Sequence, residues 1–385
     1  MRITKHVRGA AVALTALGLA GAAGAIAAAV PAQGAVSPPW RVQHVVSTSS
    51  WVTGIAATGS RAAWAVADPC DSCGSDPILV EHWNGTAWQS LTVPPAPAGA
   101  GVGQNATAVA ASSASNVWAL AAAGSQDVAV AYHWTGRGWA KPTAFPAWAA
   151  VTTATTSGPR DAWVFGQDVT SPDGFAAHYN GAKWSQVSIP VRTQQAAEVA
   201  AGNVWVVGAW VKAPKGASPF AVEHLNRGAW HAVAVPALKL PKGESVVGSN
   251  VVAEGANDVW AAGYLTQGEG VGPGIVLLHW NGKSLSRVNV PYTVSGSFAL
   301  SGDGAGGLWL SATQYSKTSY LPYLYHDNDG HWTRVAVPNE SKNQSQISAM
   351  TAIPGTHSVW AVGMELPTKD NGSGQSLGII AKYGP

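Results

Sequence analysis

One short pattern recurs seven times along this chain of 385 residues. A tryptophan, in most copies preceded by Asn/Asp and a small residue and followed by a small-residue run ending in Gly or Ala, stands at Trp64, Trp118, Trp163, Trp205, Trp260, Trp309 and Trp360, 42 to 55 residues apart. A fixed period of this size marks an array of one supersecondary unit, because a unit that cannot bury its apolar face alone must stack on copies of itself. Unit two shows what the unit is. Thr107 to Ala111 alternates as a short strand, Ser115-Asn116 turns, Val117 to Leu120 and Val128 to Trp134 form two more strands, and Trp139 opens a fourth that ends before Pro146. Four strands per unit is the size of a propeller blade, and no convincing helical period appears after the N-terminal leader.

The third strand of each unit ends alike: His82-Trp83-Asn84-Gly85, His133-Trp134-Thr135-Gly136, His178-Tyr179-Asn180-Gly181, His224-Leu225-Asn226, His279-Trp280-Asn281-Gly282 and His326-Asp327-Asn328-Asp329-Gly330. Asn-Gly here predicts a two-residue hairpin turn with positive φ at both positions. Trp88, Trp139, Trp184, Trp230 and Trp332 then open the fourth strands, with Leu285 breaking the pattern in unit five. The seventh unit stops at its third strand, Ile379 to Tyr383, and Trp40 to Val46 reads as a fourth strand lacking its first three. The N-terminal strand is therefore expected to pair with the last blade and close the ring, which removes the open sheet edge. The expected fold is all-β, a seven-bladed propeller of four-stranded antiparallel blades. The blades span residues 51–95, 100–146, 149–190, 193–236, 244–291, 296–338 and 345–385, the last completed by strand 40–47.

The repeat resembles those of secreted actinobacterial β-propellers, loosely kelch-like and Asp-box-like. Gly306-Gly307 stands where kelch repeats carry a glycine doublet, and Asp327-Asn328-Asp329-Gly330-His331-Trp332 is similar to an Asp-box hairpin. The resemblance covers residues 40–385 and implies architecture, with no particular activity attached.

The chain begins with Arg2, Lys5 and Arg8, an Ala/Gly/Leu run to Val30, and Pro31-Ala32. That is the form of a secretory signal peptide spanning 1–32. Removing its three basic residues from the 22 Lys+Arg leaves 19 against 20 Asp+Glu, so no positive footprint for nucleic acid exists. No later stretch is apolar for long enough to span a membrane. The protein is expected to be secreted. In that setting Cys70 and Cys73 are expected to form a small loop disulfide.

The recurring residues are expected to be structural. Tryptophans that face the same neighbour in each copy should fill the gaps between blades. Histidines spread over six blades cannot converge on a metal, so each should hydrogen-bond a nearby turn. Asn116, Asp161, Asn203 and Asp258 read as turn residues. No cofactor or metal site is expected. Function should lie on the face formed by the variable connections between second and third strands and between blades. Three tryptophans off the repeat, Trp51, Trp148 and Trp210, fall there, as does Tyr292. Such rings suit stacking on sugars or gripping a peptide. The favoured reading is a non-catalytic binding propeller for extracellular glycan or protein. One alternative is a carbohydrate-active hydrolase or lyase using carboxylates of that face: Asp68, Asp71, Asp76, Glu244, Glu269, Glu365 or Asp370. It is weakened because no pair stands out by spacing, and a sialidase in particular would need an arginine cluster for its acidic sugar, whereas Arg61, Arg160 and Arg192 form no motif. The other alternative is a structural surface protein without a small ligand.

Overall fold

A computed structural model describes residues 40–48, 50–69, 77–100, 104–123, 128–267, 270–292, 294, 299–315, 320–339, 344–366 and 376–385. The leader, Cys70, Cys73, Asp71, Asp76, Glu269 and Asp370 lie outside them. The described residues belong to one compact unit, Pro38–Pro385. They form seven four-stranded antiparallel sheets, and none of them is helical, so no described helix is long and apolar enough to cross a membrane. In six sheets the strands follow chain order. Blade 1 runs Trp51–Gly59, Ala62–Asp68, Leu79–Trp83, Trp88–Leu91. The first strands of blades 2 to 7 are Gln104–Ser113, Ala149–Gly158, Val191–Ala200, Glu244–Gly255, Leu300–Gly302 and Gln344–Ala352. Each touches the first strand of the next blade, and blade 7 touches blade 1, so they line a central channel.

The ring closes as the sequence implies. Arg41–Thr48 pairs antiparallel with Leu377–Tyr383, with Arg41 opposite Lys382 and Val45 opposite Ile379. Trp40 anchors this strand, edge-on to Trp309 of blade 6 at 5.2 Å and 5.5 Å from Tyr383. His44 reaches across to blade 1, 3.4 Å from the Glu81 carboxylate, which is 1% exposed and also accepts the Ser90 hydroxyl.

Because a blade is a sheet with two apolar faces, its core lies between blades. Each grid tryptophan projects toward the next blade. Trp118 meets Tyr179 and Trp184 edge-on, Trp163 meets Trp230, Trp205 meets Trp280, and Trp360 meets Trp83 and Trp88. Leu285, buried, takes the fourth-strand tryptophan's place in blade 5. The histidines clamp the other side of each indole. In six blades the Trp and His are direct cross-strand partners, and their rings stack at 4.0–4.2 Å. Each imidazole from blade 2 to blade 6 bonds a turn residue through Nε2: Asn116, Asp161, Asn203, Asp258 and Asp303, at 2.7–2.8 Å. Asn116 donates its amide to Ser112 and to Thr156 of the next blade. Its oxygen is therefore the acceptor, and His133 presents Nε2–H. Burial lowers the pKa of His133 and His224, whose partners are neutral amides.

Blade 6 shows how the clamp adapts. Gly307 stands where blades 2 to 5 carry the acceptor. Asp303 reaches back from the turn to His326 and accepts the Ala305 and Gly307 N–H groups. A Cβ on Gly307 would lie 2.4 Å from the Asp303 carboxylate. Blade 7 substitutes Lys382 for the histidine, with its ammonium 5.9 Å from the Trp360 ring.

The Asn-Gly turns differ from the expected two-residue form. Of Asn84-Gly85, only the glycine has positive φ, and the Asn84 side-chain oxygen accepts the N–H groups of Thr86 and Ala87. Asn180 and Asn281 do the same. The asparagine thus satisfies a longer turn through its side chain instead of adopting left-handed backbone. Two-residue turns with both φ positive occur at Arg227-Gly228 and Asp329-Gly330.

Removing the Trp205 indole, fully buried between blades 4 and 5, leaves a cavity the ring cannot collapse. Trp205→Ala is expected to cost about 3–5 kcal/mol. Thermal and urea melts of the folded variant measure this, and unchanged stability would reject the interblade assignment.

Candidate functional site

The inner strands share a defect that shapes the channel. In blades 1, 2, 3, 4, 5 and 7 the pairing with the second strand slips by one residue, leaving Thr53, Thr107, Thr152, Gln194, Ser249 and Ser348 outside the ladder. These are β-bulges, which bend a strand and re-aim a side chain. The bulge also explains the glycine that ends the Trp motif: a Cβ on Gly166, Gly208 or Gly363 would come within about 2 Å of an inner-strand carbonyl oxygen. Two of the bulged hydroxyls stitch blades together, Thr53 donating to Ala106 O at 3.0 Å and Thr152 to Thr193 O at 2.7 Å.

The channel has two connected parts. A neck of about 310 Å³ lies at the level of the bulges. A chamber of about 750 Å³ lies toward the short turns between first and second strands, with Glu198, Glu254, Ser301, Thr351 and His357 in its wall. Gln195, Leu300 and Met350 line both. Glu254 extends from blade 5 against Gly302 of blade 6, where any Cβ would overlap its carboxyl group. The channel wall and the neighbouring Asp258 and Asp303 carboxylates raise its pKa. Glu198 turns toward blade 3. Burial and the Asp161 charge raise its pKa to about 8, and both its carboxyl oxygens are buried without a hydrogen-bond partner. Glu198 is therefore a neutral carboxylic acid around pH 7. Neither glutamate stood out in the sequence, where the short-turn end of the channel reads as invariant scaffold. Among the described residues no group of three or more His, Cys, Asp and Glu side chains could hold a metal.

The sequence-selected aromatics lie on the opposite, long-loop face, dispersed over it. Trp51 opens the first strand of blade 1, is 37% exposed, and donates its indole N–H to Ser348 of blade 7. Trp148 packs edge-on to Phe175 at 5.5 Å. Trp210 donates to Ser218 O in its own loop at 2.8 Å. Tyr292 stacks on the buried Tyr325 at 4.5 Å. Of the carboxylates proposed for that face, Asp68 accepts the Ala106 N–H, Glu365 is fully buried, and one Glu244 oxygen is buried. Arg61 and Arg160 sit beside short turns in blades 1 and 3 and Arg192 sits at the far end of blade 4, so the three do not converge. What the sequence did not reveal is how the exposed large apolar side chains divide between the two faces. Among the described residues, four of the five exposed large hydrophobics lie on the long-loop side: Trp51, Val169, Leu321 and Leu366. Three of these belong to the consecutive blades 6, 7 and 1.

No protein-family model matches this chain, and no curated protein does. Solved structures that share its fold include the GH74 xyloglucanase of Xanthomonas campestris, with 14% identity and a TM-score of 0.55 over 84% of this chain and 53% of that one. The β-propeller domain of Myceliophteria thermophila Cps50 (Swd1) aligns over 89% of this chain and 99% of its own, at 10% identity and TM-score 0.53. The C-terminal WD40 domain of Sif2 aligns over 90% and 99%, at 10% identity and TM-score 0.50. The chain spans about half the length of the xyloglucanase. Likeness at these identities establishes the propeller fold alone.

The Glu198 carboxyl generates a pH dependence of defined sign. In the unfolded chain it ionises near 4.5, whereas in the folded chain it holds its proton to about 8. Stability therefore falls as pH rises from about 4.5 to about 8, and this group takes no more above that. Glu198→Gln keeps the shape without the charge. It should melt a few degrees above the parent at pH 8, for a gain on the order of 2–4 kcal/mol, and coincide with it near pH 4. An equal difference at both pH values would contradict the assignment.

Proposed function

We propose that this chain is an exported, non-catalytic binding propeller that engages an extracellular protein or glycan through its long-loop face. The observation that carries the proposal is that four of the five exposed large apolar side chains among the described residues lie on this side, with Leu321, Leu366 and Trp51 on consecutive blades. An uneven division of exposed apolar side chains between the two faces of a rigid scaffold, on the face of variable loops, supports an interaction surface there. Aliphatic chains beside one exposed indole suit a protein surface, with the indole equally able to cover a sugar face. The signal-like leader supports export. The state of the described carboxylates also favours binding over hydrolysis, since Asp68 and Glu365 are engaged or buried where a catalytic pair would need access to substrate.

Two variants test the reading on the full propeller: Leu366→Glu, and Trp51→Ala. Each is screened against arrays of cell-wall glycans and of purified extracellular proteins. A partner of the parent should bind each variant about tenfold or more weakly, as for a central interface residue, while melting is little changed. Equal binding by both variants would overturn the reading. So would substrate turnover lost on removing a single carboxylate.

A further inference from the structure

The neck of the channel is chemically unlike both faces of the ring. All six bulged residues, Thr53, Thr107, Thr152, Gln194, Ser249 and Ser348, line it, and all carry a hydroxyl or an amide. The equivalent position in blade 6, residue 298, lies outside the described residues. Stitching of blades engages Thr53, Thr152 and Ser348, the last as acceptor of the Trp51 indole N–H, and Ser249 donates to Ala262 O in its own blade, which leaves Gln194 and Thr107. Gln194 is exposed to the channel, and the Thr107 hydroxyl has no hydrogen-bond partner although its oxygen is buried. Gln195, beside them, commits its side-chain oxygen to Thr153 and to the Ala196 N–H, which leaves its amide donors available. Among the described residues no Lys, Arg, Asp or Glu lines the neck, and Ile55, Val109, Leu300 and Met350 interrupt the polar groups with apolar ones.

Hydroxyl and amide groups that both donate and accept, alternating with apolar patches and without charge, match a molecule with ring hydroxyls at its edge and C–H groups on its faces. The volume of about 310 Å³ falls at the small end of ligand sites and opens into the larger chamber. We propose that the channel neck binds a small neutral polyhydroxylated ligand, a mono- or disaccharide, through the side chains of Gln194 and Gln195. The site adjoins the long-loop face at the Trp51–Ser348 hydrogen bond but does not depend on that surface binding anything.

The full propeller is titrated with glucose, N-acetylglucosamine and cellobiose by calorimetry and by saturation-transfer NMR. At least one sugar should saturate the protein at millimolar concentration. Gln194→Ala should weaken it tenfold or more, and Gln194→Trp, which fills the neck, should abolish it. Leu366→Glu on the loop face should leave it unchanged, which separates failure of this site from failure of the other. Melting curves establish that each variant is folded, and Gln194→Ala, a truncation at an exposed position, reads the site even where the larger substitution is not tolerated. The proposal is overturned if none of the three sugars saturates at tens of millimolar, or if binding survives the folded Gln194 variants.

Discussion

Every sheet has two apolar faces, and no helix among the described residues covers them, so each is buried against the next sheet. Closure of the ring is the constraint on which the rest depends. It is met by pairing Arg41–Thr48 with Leu377–Tyr383, where the first and last segments of the propeller share a blade. Trp40 carries the join into the neighbouring interface by packing on Trp309. His44 carries it the other way, toward Glu81 of blade 1. The same strand thus supplies a hydrogen-bonded edge and side chains for two interblade cores.

Within the closed ring, the repeat is a device for holding one indole per interface. A tryptophan sits between its cross-strand histidine on one side and rings of the next blade on the other. The histidine is fixed by an Asn or Asp at the turn. The partner is chosen by geometry more than by position, since blade 6 supplies Asp303 from further back and needs Gly307 to admit it. Where the seam falls, the device changes. Lys382 takes the histidine's place over Trp360, and in blade 1 Ala62 stands where blades 2 to 5 carry Asn or Asp. Blade 1 instead holds the buried Glu81 that meets the closing strand.

The architecture was legible because it rests on residues that recur. Trp, His and the turn Asn/Asp each occupy one role per blade, so their spacing gave the blade number, the closure and the interblade packing. The Asn-Gly turns were misjudged because the dipeptide reports a turn without saying whether the asparagine acts through its backbone or its side chain, and here the side chain wins. The bulges carry a faint signal: Thr53, Thr107, Thr152, Gln194 and Ser249 each stand eleven residues before the grid tryptophan. That regularity is hidden because the residue type varies and a strand reading assumes an unbroken ladder. The long-loop aromatics show the other limit. Sequence places Trp148, Trp210 and Tyr292 on that face but cannot show that Phe175, Ser218 and Tyr325 occupy them.

The dependence on closure is measured most directly by deleting residues 40–48 and following unfolding of the remaining chain by calorimetry and near-ultraviolet circular dichroism. With Tyr383 and Trp309 stripped of their partner and the blade 7 edge bare, the truncated chain should lose its single cooperative transition and expose apolar surface to a hydrophobic dye. A peptide of residues 40–48 added in trans should restore it. A truncated chain that melts in one transition at the parent's temperature would contradict the claim that this strand holds the ring shut.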